Sequence, residues 1–205
     1  MRSLANRAKQ LNIPVSATKP VAIIPFTHKN NKESHYDMHF GLELGVVLSG
    51  LMHRHYQDHS RLAGRGQAWF CGMWEPHGYE VVKAPCEVVV LVIWPPLLAQ
   101  MRFEESPEIR WMAPFTARPA SRPQIAAEDA KALLEQSYQL KKLIAPSSPA
   151  EKARIRLGLL NILSLTAGSC PEQKPGGAGS GSEDWSRLNH AVQLARSHYG
   201  IRASK

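Results

Sequence analysis

Five short apolar runs between Val21 and Pro95 constrain the fold of this chain more than any other feature of its sequence. They are rich in valine, isoleucine and aromatic residues, and glycine, proline, aspartate and serine separate them. Short segments of this kind between turn-forming residues are typical of β-strands. Their spacing predicts an antiparallel sandwich or a small barrel over residues 21–120, not alternating βαβ units. The runs read VAIIPF, LELGVVL, GQAWFCGMW, GYEVVK and EVVVLVIW.

A helical pattern replaces the strand pattern after Pro96. The stretch RPQIAAEDAKALLEQSYQLKKLI predicts a helix over residues 122–144, and Pro146 ends it. Apolar residues recur in it at three- and four-residue spacing, which is the period of one helix face. That stripe consists of Ala130, Leu133, Leu134, Tyr138 and Leu140/Lys141.

A second helix is predicted directly after the first. Ser148 is placed to cap its N-terminus, with Pro149 in the first helical position and Glu151 three residues after the cap. Two consecutive helices with a short connection predict an antiparallel α-helical hairpin within residues 121–170. We expect this hairpin to form or support a dimer interface. The apolar face of the second helix consists of Ile155, Leu159, Ile162 and Leu163.

The two ends of the chain differ from its centre. Residues 1–20 are polar and basic and predict a mobile arm, whereas glycine, serine and proline dominate residues 171–183 and predict a flexible linker. Residues 184–205 carry an amphipathic helical pattern, with Asp184 placed to cap it and Gly200 placed to end it. One such helix is not a domain, so we expect a second domain to begin near Asp184.

Several functional classes are excluded by the sequence. Neither an apolar run of about 18 residues nor a signal-peptide core is present, so we expect a cytoplasmic protein without membrane contact. The cysteines Cys71, Cys86 and Cys170 lack the spacing of a disulfide framework or a zinc site. The formal net charge of +8 is dispersed, and on its own it favours nucleic-acid binding only slightly. No hydrolase elbow, phosphate-binding loop or HExxH motif occurs, so we predict that the chain is not an enzyme.

The stretch DMHFGLELGVVLSG contains the strongest candidate site. Asp37 and His39 lie two apart and would share one face of a strand, with Glu43 on the next strand and His77 after a later proline. Two carboxylates and two imidazoles that converge suit a divalent first-row metal ion. Two alternatives remain open: these groups contact a polar ligand directly without a metal, or they only hold one another and a turn in place.

The stretch HRHYQDH offers a rival metal site. His53, His55 and His59 have the spacing HxHxxxH, but histidines on the solvent face of a hairpin give the same pattern.

Aromatic residues cluster near His77, and aromatic faces in a pocket stack on apolar ring faces, including those of a sugar. Strand alternation puts Trp69, Cys71 and Met73 on one face and Phe70, Gly72 and Trp74 on the other. We expect Trp74 to form the ligand wall.

The stretches LELGVVLSG and RLAGRGQAWFCGMWEPHGYE resemble the sensor half of AraC-type transcription regulators, and SRLNHAVQLARSHYGIRASK resembles the opening helix of that family's DNA-binding region. The resemblance implies a cupin-like double-stranded β-sandwich, or jelly roll. His39 and Glu43 match the family pattern HxHxxxEL, whereas Asp37 replaces its first histidine. The residues expected to contact a ligand are His39, Glu43, Trp74, His77 and Tyr79.

This resemblance implies a homodimeric regulator that binds a small-molecule effector, with a sugar as one candidate class, and that binds DNA through its C-terminal region. The arm of residues 1–20 would close over the ligand. Two other functions stay open. The chain could be a metal-dependent cupin enzyme, such as a dioxygenase or an isomerase, with Asp37, His39, Glu43 and His77 as ligands. It could also be a non-catalytic dimerisation or carbohydrate-binding module.

Overall fold

A seven-stranded mixed sheet with four α-helices makes up residues 4–167, the part of the chain that the computed structural model describes. The linker predicted at 171–183 and the helix predicted at 184–205 lie outside the described residues. The strands are β1 (Lys9–Gln10), β2 (Val21–His28), β3 (Ser34–Met38), β4 (Leu42–Tyr56), β5 (Ser60–Gly64), β6 (Ala68–Cys71) and β7 (His77–Ile93). The helices are α1 (Pro95–Ala99), α2 (Ala113–Thr116), α3 (Ala130–Lys141) and α4 (Pro149–Ala167).

Two long strands, β4 and β7, form the centre of the sheet. They pair antiparallel with each other, and the strand order is β1-β3-β7-β4-β5. In addition β2 pairs with β7 and β6 pairs with β4, whereas β1 and β3 form the parallel pair. The predicted β-rich region is therefore confirmed. The two runs GYEVVK and EVVVLVIW, however, belong to one strand that continues through Pro85.

Pro85 is tolerated within β7 because it lies at an irregularity of the pairing. The β4–β7 register shifts between Ser49 and Leu51. Gly50, between these two residues, has a φ of 79°. A Cβ atom on Gly50 would lie 2.5 Å from the carbonyl oxygen of Pro85. A proline without an N–H group is usually found at such bulges rather than in a regular central ladder, and the left-handed backbone with this close approach requires glycine.

The sheet has two different buried faces. One face packs against the helices, and its core includes Leu44, Phe70 and Leu91 together with Leu133 of α3 and Leu159 of α4. The other face carries a second apolar cluster. Because side chains alternate along a strand, neighbouring residues of β4, β6 and β7 belong to different clusters. The second cluster includes Val47, Met52, Trp69, Val88, Val90 and Val92.

Helix α3 is shorter than its sequence pattern predicts. It begins at Ala130, and Arg122 has extended dihedral angles, with φ −69° and ψ 144°. Arg122 precedes Pro123, and a residue before proline is disfavoured in the helical conformation. Tyr138 was predicted on the apolar stripe but is 39% exposed, whereas Ser137 is buried and donates a hydrogen bond to the Leu133 carbonyl at 2.8 Å. At this turn of α3 the buried face therefore includes Ser137 in place of the predicted Tyr138.

The N-terminus of α4 has the predicted capping arrangement. The amide of Glu151 donates to Ser148 Oγ at 3.2 Å, and the amide of Ser148 donates to a Glu151 carboxylate oxygen at 3.2 Å. This reciprocal pair satisfies two amides that the first helical turn leaves unpaired. The four residues of the predicted apolar face of α4 are buried. Helices α3 and α4 pack together where Gly158 meets Leu140.

The N-terminal segment, residues 4–20, contacts the sheet at its edge and on its second face. Strand β1 extends the sheet beside β3, and the Leu11 amide donates to the Met38 carbonyl at 3.0 Å. Ile13 and Val15 pack against the second apolar cluster. Within residues 4–167 the helices are too short or too polar to cross a membrane.

Candidate functional site

A cavity of about 420 Å³ lies against the second face of the sheet. The N-terminal segment contributes Leu11 and Ile13 to its wall. Most of the surface of the wall is apolar, and most of the polar residues that line it form two groups, one around Glu43 and one around His28. Most of the apolar wall comes from β2, β4 and β7: Ile24, Phe26, Met52, Val88, Val90 and Val92.

Glu43 is the centre of the first polar group. One carboxylate oxygen accepts hydrogen bonds from Trp69 Nε1 at 2.6 Å and from an Arg54 guanidinium nitrogen at 3.0 Å. The other oxygen lies 3.2 Å from His39 Nε2 and 3.3 Å from His77 Nε2. Arg54 is placed for this contact because it shares the inner face of β4 with Met52 and Tyr56. Glu43 is therefore a buried carboxylate whose oxygens are both occupied.

The protonation states of Glu43 and His77 support each other. Burial would raise the pKa of Glu43, but the His77 charge, hydrogen bonds from both histidines and the Arg54 charge hold this pKa well below its usual range. Burial would lower the pKa of His77, but Cys71, Glu43 and Asp37 raise this pKa well above its usual range. Burial also raises the pKa of the Cys71 thiol, so at neutral pH this thiol is uncharged and Glu43 and Asp37 carry the negative charge beside His77. Glu43 is thus ionised and His77 cationic at neutral pH.

Backbone carbonyls fix the orientation of both histidine rings. His39 Nδ1 lies 2.9 Å from the Gly41 carbonyl oxygen, and His77 Nδ1 lies 2.7 Å from that of Glu75. A carbonyl oxygen only accepts, so each Nδ1 carries the proton that it donates. Each Nε2 therefore points towards the carboxylates, either as a second donor or, in a neutral ring, with a free lone pair.

A metal ion fits the donor set at this position. The ligand atoms of Asp37, His39 and His77 lie within 4.8 Å of one another, and so do those of Glu43, Cys71 and His77. Asp37 Oδ1 lies 3.1 Å from His77 Nε2 but has no aligned hydrogen-bond donor. Histidines whose Nδ1 is held by a carbonyl and whose Nε2 faces carboxylates match the usual second-shell arrangement of metal-binding imidazoles.

The second polar group of the cavity surrounds His28. Its Nδ1 lies 2.7 Å from a Glu33 carboxylate oxygen and 3.4 Å from the Tyr79 hydroxyl, and its ring lies 4.5 Å from that of Tyr79. Burial raises the pKa of Tyr79 to about 12, with Glu33 adding to the effect, so the hydroxyl remains a hydrogen-bond donor. This group offers donors and acceptors at a second position along the cavity.

Most of the predicted site residues meet in this cavity. Asp37, His39, Glu43, His77 and Tyr79 all line it.

Trp74 does not belong to the cavity lining. It lies in the turn after β6 with a φ of 54°, its ring centroid is 6.3 Å from that of Phe40, and its amide donates to the His39 carbonyl at 2.8 Å. Trp69 faces the cavity instead. Strand alternation correctly puts Trp69 and Phe70 on opposite faces of the sheet. The alternation does not continue to Met73, because β6 ends at Cys71. Met73 therefore packs against the helix-covered cluster and not on the face of Trp69.

Sequence reasoning missed Arg54, His28 and Glu33. The signal for Arg54 was the alternation in LMHRHY, which puts Arg54 on the face opposite to His53 and His55.

The rival histidine site is not assembled. The rings of His53 and His55 stack at 6.0 Å, and that of His59 lies against Tyr56. Among the described residues, the groups of three or more metal-binding side chains do not include His53, His55 or His59.

Comparisons with known proteins give similarity to solved structures alone: no family model matches this sequence, and no curated protein matches it. An AraC-like transcriptional activator, CuxR, is 11% identical with a TM-score of 0.49, over 88% of this chain and 63% of that chain. An HTH_3 family transcriptional regulator from Vibrio cholerae is 21% identical with a TM-score of 0.36, over 40% of this chain and 48% of that one. A mutant of Bacillus subtilis oxalate decarboxylase OxdC is 17% identical with a TM-score of 0.33, over 36% and 21%. This chain thus spans less than two thirds of the length of each of them.

Proposed function

We propose that the chain is the ligand-sensing and dimerisation part of an AraC-type, DNA-binding transcription regulator that works in the cytoplasm. In this proposal the sheet is a cupin-like double-stranded β-sandwich, and a small molecule binds in its cavity. The observation that carries the proposal is the cavity itself. The regulator assignment is supported by the sequence resemblance of residues 20–205 to that family.

The cavity has the size and chemistry of a small-molecule site. Its volume of about 420 Å³ is within the range of about 300–1,000 Å³ that is common for such sites. The apolar parts of the wall would bury the body of a ligand, and the groups around Glu43 and His28 would fix its orientation. Because Glu43 already has five partners, Asp37 and Tyr79 are better placed to contact the ligand directly.

The N-terminal segment provides a route from ligand to response. Leu11 and Ile13 contact the cavity, and Arg7 lies 3.9 Å above the ring of Tyr36 in β3. Among the described residues of this segment, Lys9 and Gln10 pair with β3, and Leu11 and Pro20 each make one further backbone hydrogen bond, so few hydrogen bonds hold it. A ligand shifts a regulator only if it binds one arrangement better than another. Contact with Leu11 and Ile13 would supply that difference by favouring the closed arm.

Native mass spectrometry of the purified chain, followed by a thermal-shift screen that begins with sugars, tests the sensor proposal. A bound organic molecule or a saturable rise in Tm is expected. Val90→Phe would place a phenyl ring in the cavity and should remove the rise in Tm. The matched control Val82→Phe adds the same side chain at an exposed position of β7 that does not line the cavity. This variant should keep the ligand-induced rise in Tm.

Fluorescence anisotropy tests the regulator proposal separately. The full-length protein, as its gene encodes it, is titrated into DNA fragments from the region upstream of that gene, with and without the ligand. We expect binding that the ligand changes. If no fragment is bound in either condition, the regulator proposal is wrong even if the cavity binds a ligand.

A metal-dependent enzyme is the second candidate, because the donors of Asp37, His39 and His77 converge with suitable orientation. These residues, with Glu43, would hold a divalent ion, which would act as a Lewis acid on a bound substrate. Elemental analysis should then give about one metal per subunit in the wild type and in His53→Gln, which lies outside the cavity lining, and much less in His39→Gln. If the purified wild type contains no metal and shows no enzymatic turnover after a divalent metal is added, the enzyme candidate is wrong.

A further inference from the structure

Three arginines converge around Tyr56, and two of them, Arg61 and Arg122, lie outside the cavity lining. Arg54 and Arg61 are directly opposite each other in the β4–β5 pairing, and Arg122 lies 4.9 Å above the ring of Tyr56. Burial raises the pKa of Tyr56 to about 12, although the charges of Arg54, Arg122 and Arg61 all act to lower it. The arginine cluster, as we call Arg54, Arg61 and Arg122, therefore surrounds a single protonated phenol.

Two members of the arginine cluster have carboxylate partners. Arg54 pairs with Glu43 at 3.0 Å. Arg122 pairs with Glu75 at 2.6 Å and also donates to the carbonyl oxygens of Phe70 at 2.6 Å and Ala117 at 3.2 Å. Both arginines are buried, and each partner carries one negative charge when ionised. These pairs neutralise two of the three positive charges.

Arg61 has no corresponding partner within the described part of the chain. Its guanidinium donates to the Ala68 carbonyl at 2.5 Å, and its buried Nε has no hydrogen-bond acceptor. No ion pair between described residues includes it. Burial lowers the pKa of Arg61, and the charges of Arg54 and Arg122 lower it further, against an opposing effect of Tyr56. One uncompensated positive charge is therefore held in a half-buried position.

Folding alone gives no reason for this arrangement. Like charges directly opposite each other on paired strands destabilise a sheet, and an unpaired charge loses hydration when it is partly buried. An anion beside Arg61 would remove both costs. The planar guanidinium presents several N–H donors to an oxyanion, which gives stronger and better directed hydrogen bonds than a lysine would give.

We propose that Arg61, supported by Arg122 and Tyr56, binds a small oxyanion, such as a phosphate or a carboxylate group. This site is distinct from the cavity, because none of these three residues lines the cavity. Arg54 belongs to both regions, since it lines the cavity and lies opposite Arg61. The oxyanion site does not depend on what the cavity binds.

A phosphate titration at constant ionic strength, with chloride as the balancing anion, tests the proposal. For the wild type we expect a saturable rise in Tm of about 3–5 °C at about ten times the dissociation constant. The Arg61→Gln variant removes the unpaired charge and should lose the rise. Arg65→Gln is the matched control, because it removes one exposed arginine just after β5 and should respond like the wild type. Acetate in place of phosphate distinguishes recognition of carboxylates from recognition of phosphates.

The Arg61→Lys variant keeps the experiment decisive if Arg61→Gln fails to fold. It retains the charge but not the guanidinium geometry, so the phosphate affinity should fall about tenfold. Phosphate binding to the wild type and to this variant is measured directly by isothermal titration calorimetry. If neither phosphate nor acetate gives a saturable response in the wild type, or if the response is unchanged in the Arg61 variants, the proposal is wrong.

Discussion

The two faces of β4 and β7 have the same backbone but different tasks. On one face Leu44, Leu91 and their neighbours are enclosed by α3, α4 and the segments before them. On the other face Val90 and Val92 border a cavity, and Glu43 holds a network of charged groups. One residue along the strand separates a closely packed position from a position beside open space, because side chains alternate.

The difference between these faces indicates where stability and binding are located. The helix-covered face buries a large apolar cluster and so gains free energy from burial and close packing. The cavity face leaves part of its apolar surface without packing partners and buries several ionisable groups. We therefore expect substitutions to lower stability more strongly on the first face, and to change binding mainly on the second.

Leu44→Ala, on the helix-covered face, should have the largest effect. Leu44 is fully buried, and the variant would leave a void that the packed helices cannot fill, at a cost of about 4 kcal/mol in the free energy of unfolding. Val90→Ala, on the cavity face, should cost about 1 kcal/mol, because Val90 already borders open space. Urea unfolding measures both values. Equal losses would mean that the cavity face is as closely packed as the helix face.

Glu43→Gln should have the next largest effect and tests whether the charged network is structural. The neutral amide cannot balance Arg54 and His77, so a buried positive charge is left without its counterion, at a cost of about 3 kcal/mol. Glu33→Gln is the control at the rim of the cavity, where the side chain is 39% exposed, and it should unfold close to the wild type. A Glu43→Gln variant of unchanged stability would show that the network contributes only to binding.

The alternation of side chains made much of the fold predictable from sequence. The apolar runs between turn-forming residues predicted β2, β4, β6 and β7 but did not include β3 or β5, and Ser148 with Glu151 predicted the start of α4. The limits of α3 were less predictable, because the effect of Pro123 on Arg122 competes with a helical pattern that begins before Ala130.

The candidate site was predictable in part, for a similar reason. Metal-binding residue types at strand spacing identified Asp37, His39, Glu43 and His77, all of which line the cavity. Trp69 and Trp74 could not be distinguished, because alternation gives two faces without stating which one faces inward. Arg54 was missed because its counterion is eleven residues away along the chain. Both residues lie on β4, and the irregularities of this strand between Val47 and Met52 bring them together on one face, which a local alternation pattern does not predict.

His77→Gln should have a smaller effect that depends on pH. His77 has a pKa raised well above its ordinary value of 6.5, so its stabilising contribution is complete below that pH and is lost as the pH rises through the higher pKa of the folded state. The difference in unfolding free energy between wild type and variant should be about 1–2 kcal/mol near pH 6 and decrease in alkaline buffer. His53→Gln, on the face of β4 opposite to Arg54, should give a small difference at each pH. A gap that stays constant with pH would contradict the ion pair of His77 with the carboxylates.

One added methylene on each face gives the smallest effect and the most direct comparison. Val89 belongs to the helix-covered core and Val90 lines the cavity, although the two are neighbours in β7. Val89→Ile should destabilise by about 1 kcal/mol, because a closely packed core has no room for the added group. Val90→Ile should leave stability unchanged within about 0.5 kcal/mol, since its new methyl group enters the cavity, but it should weaken any ligand that occupies that volume. If both variants lost the same stability, the cavity would be closed in solution, and its role as a binding site would have to be abandoned.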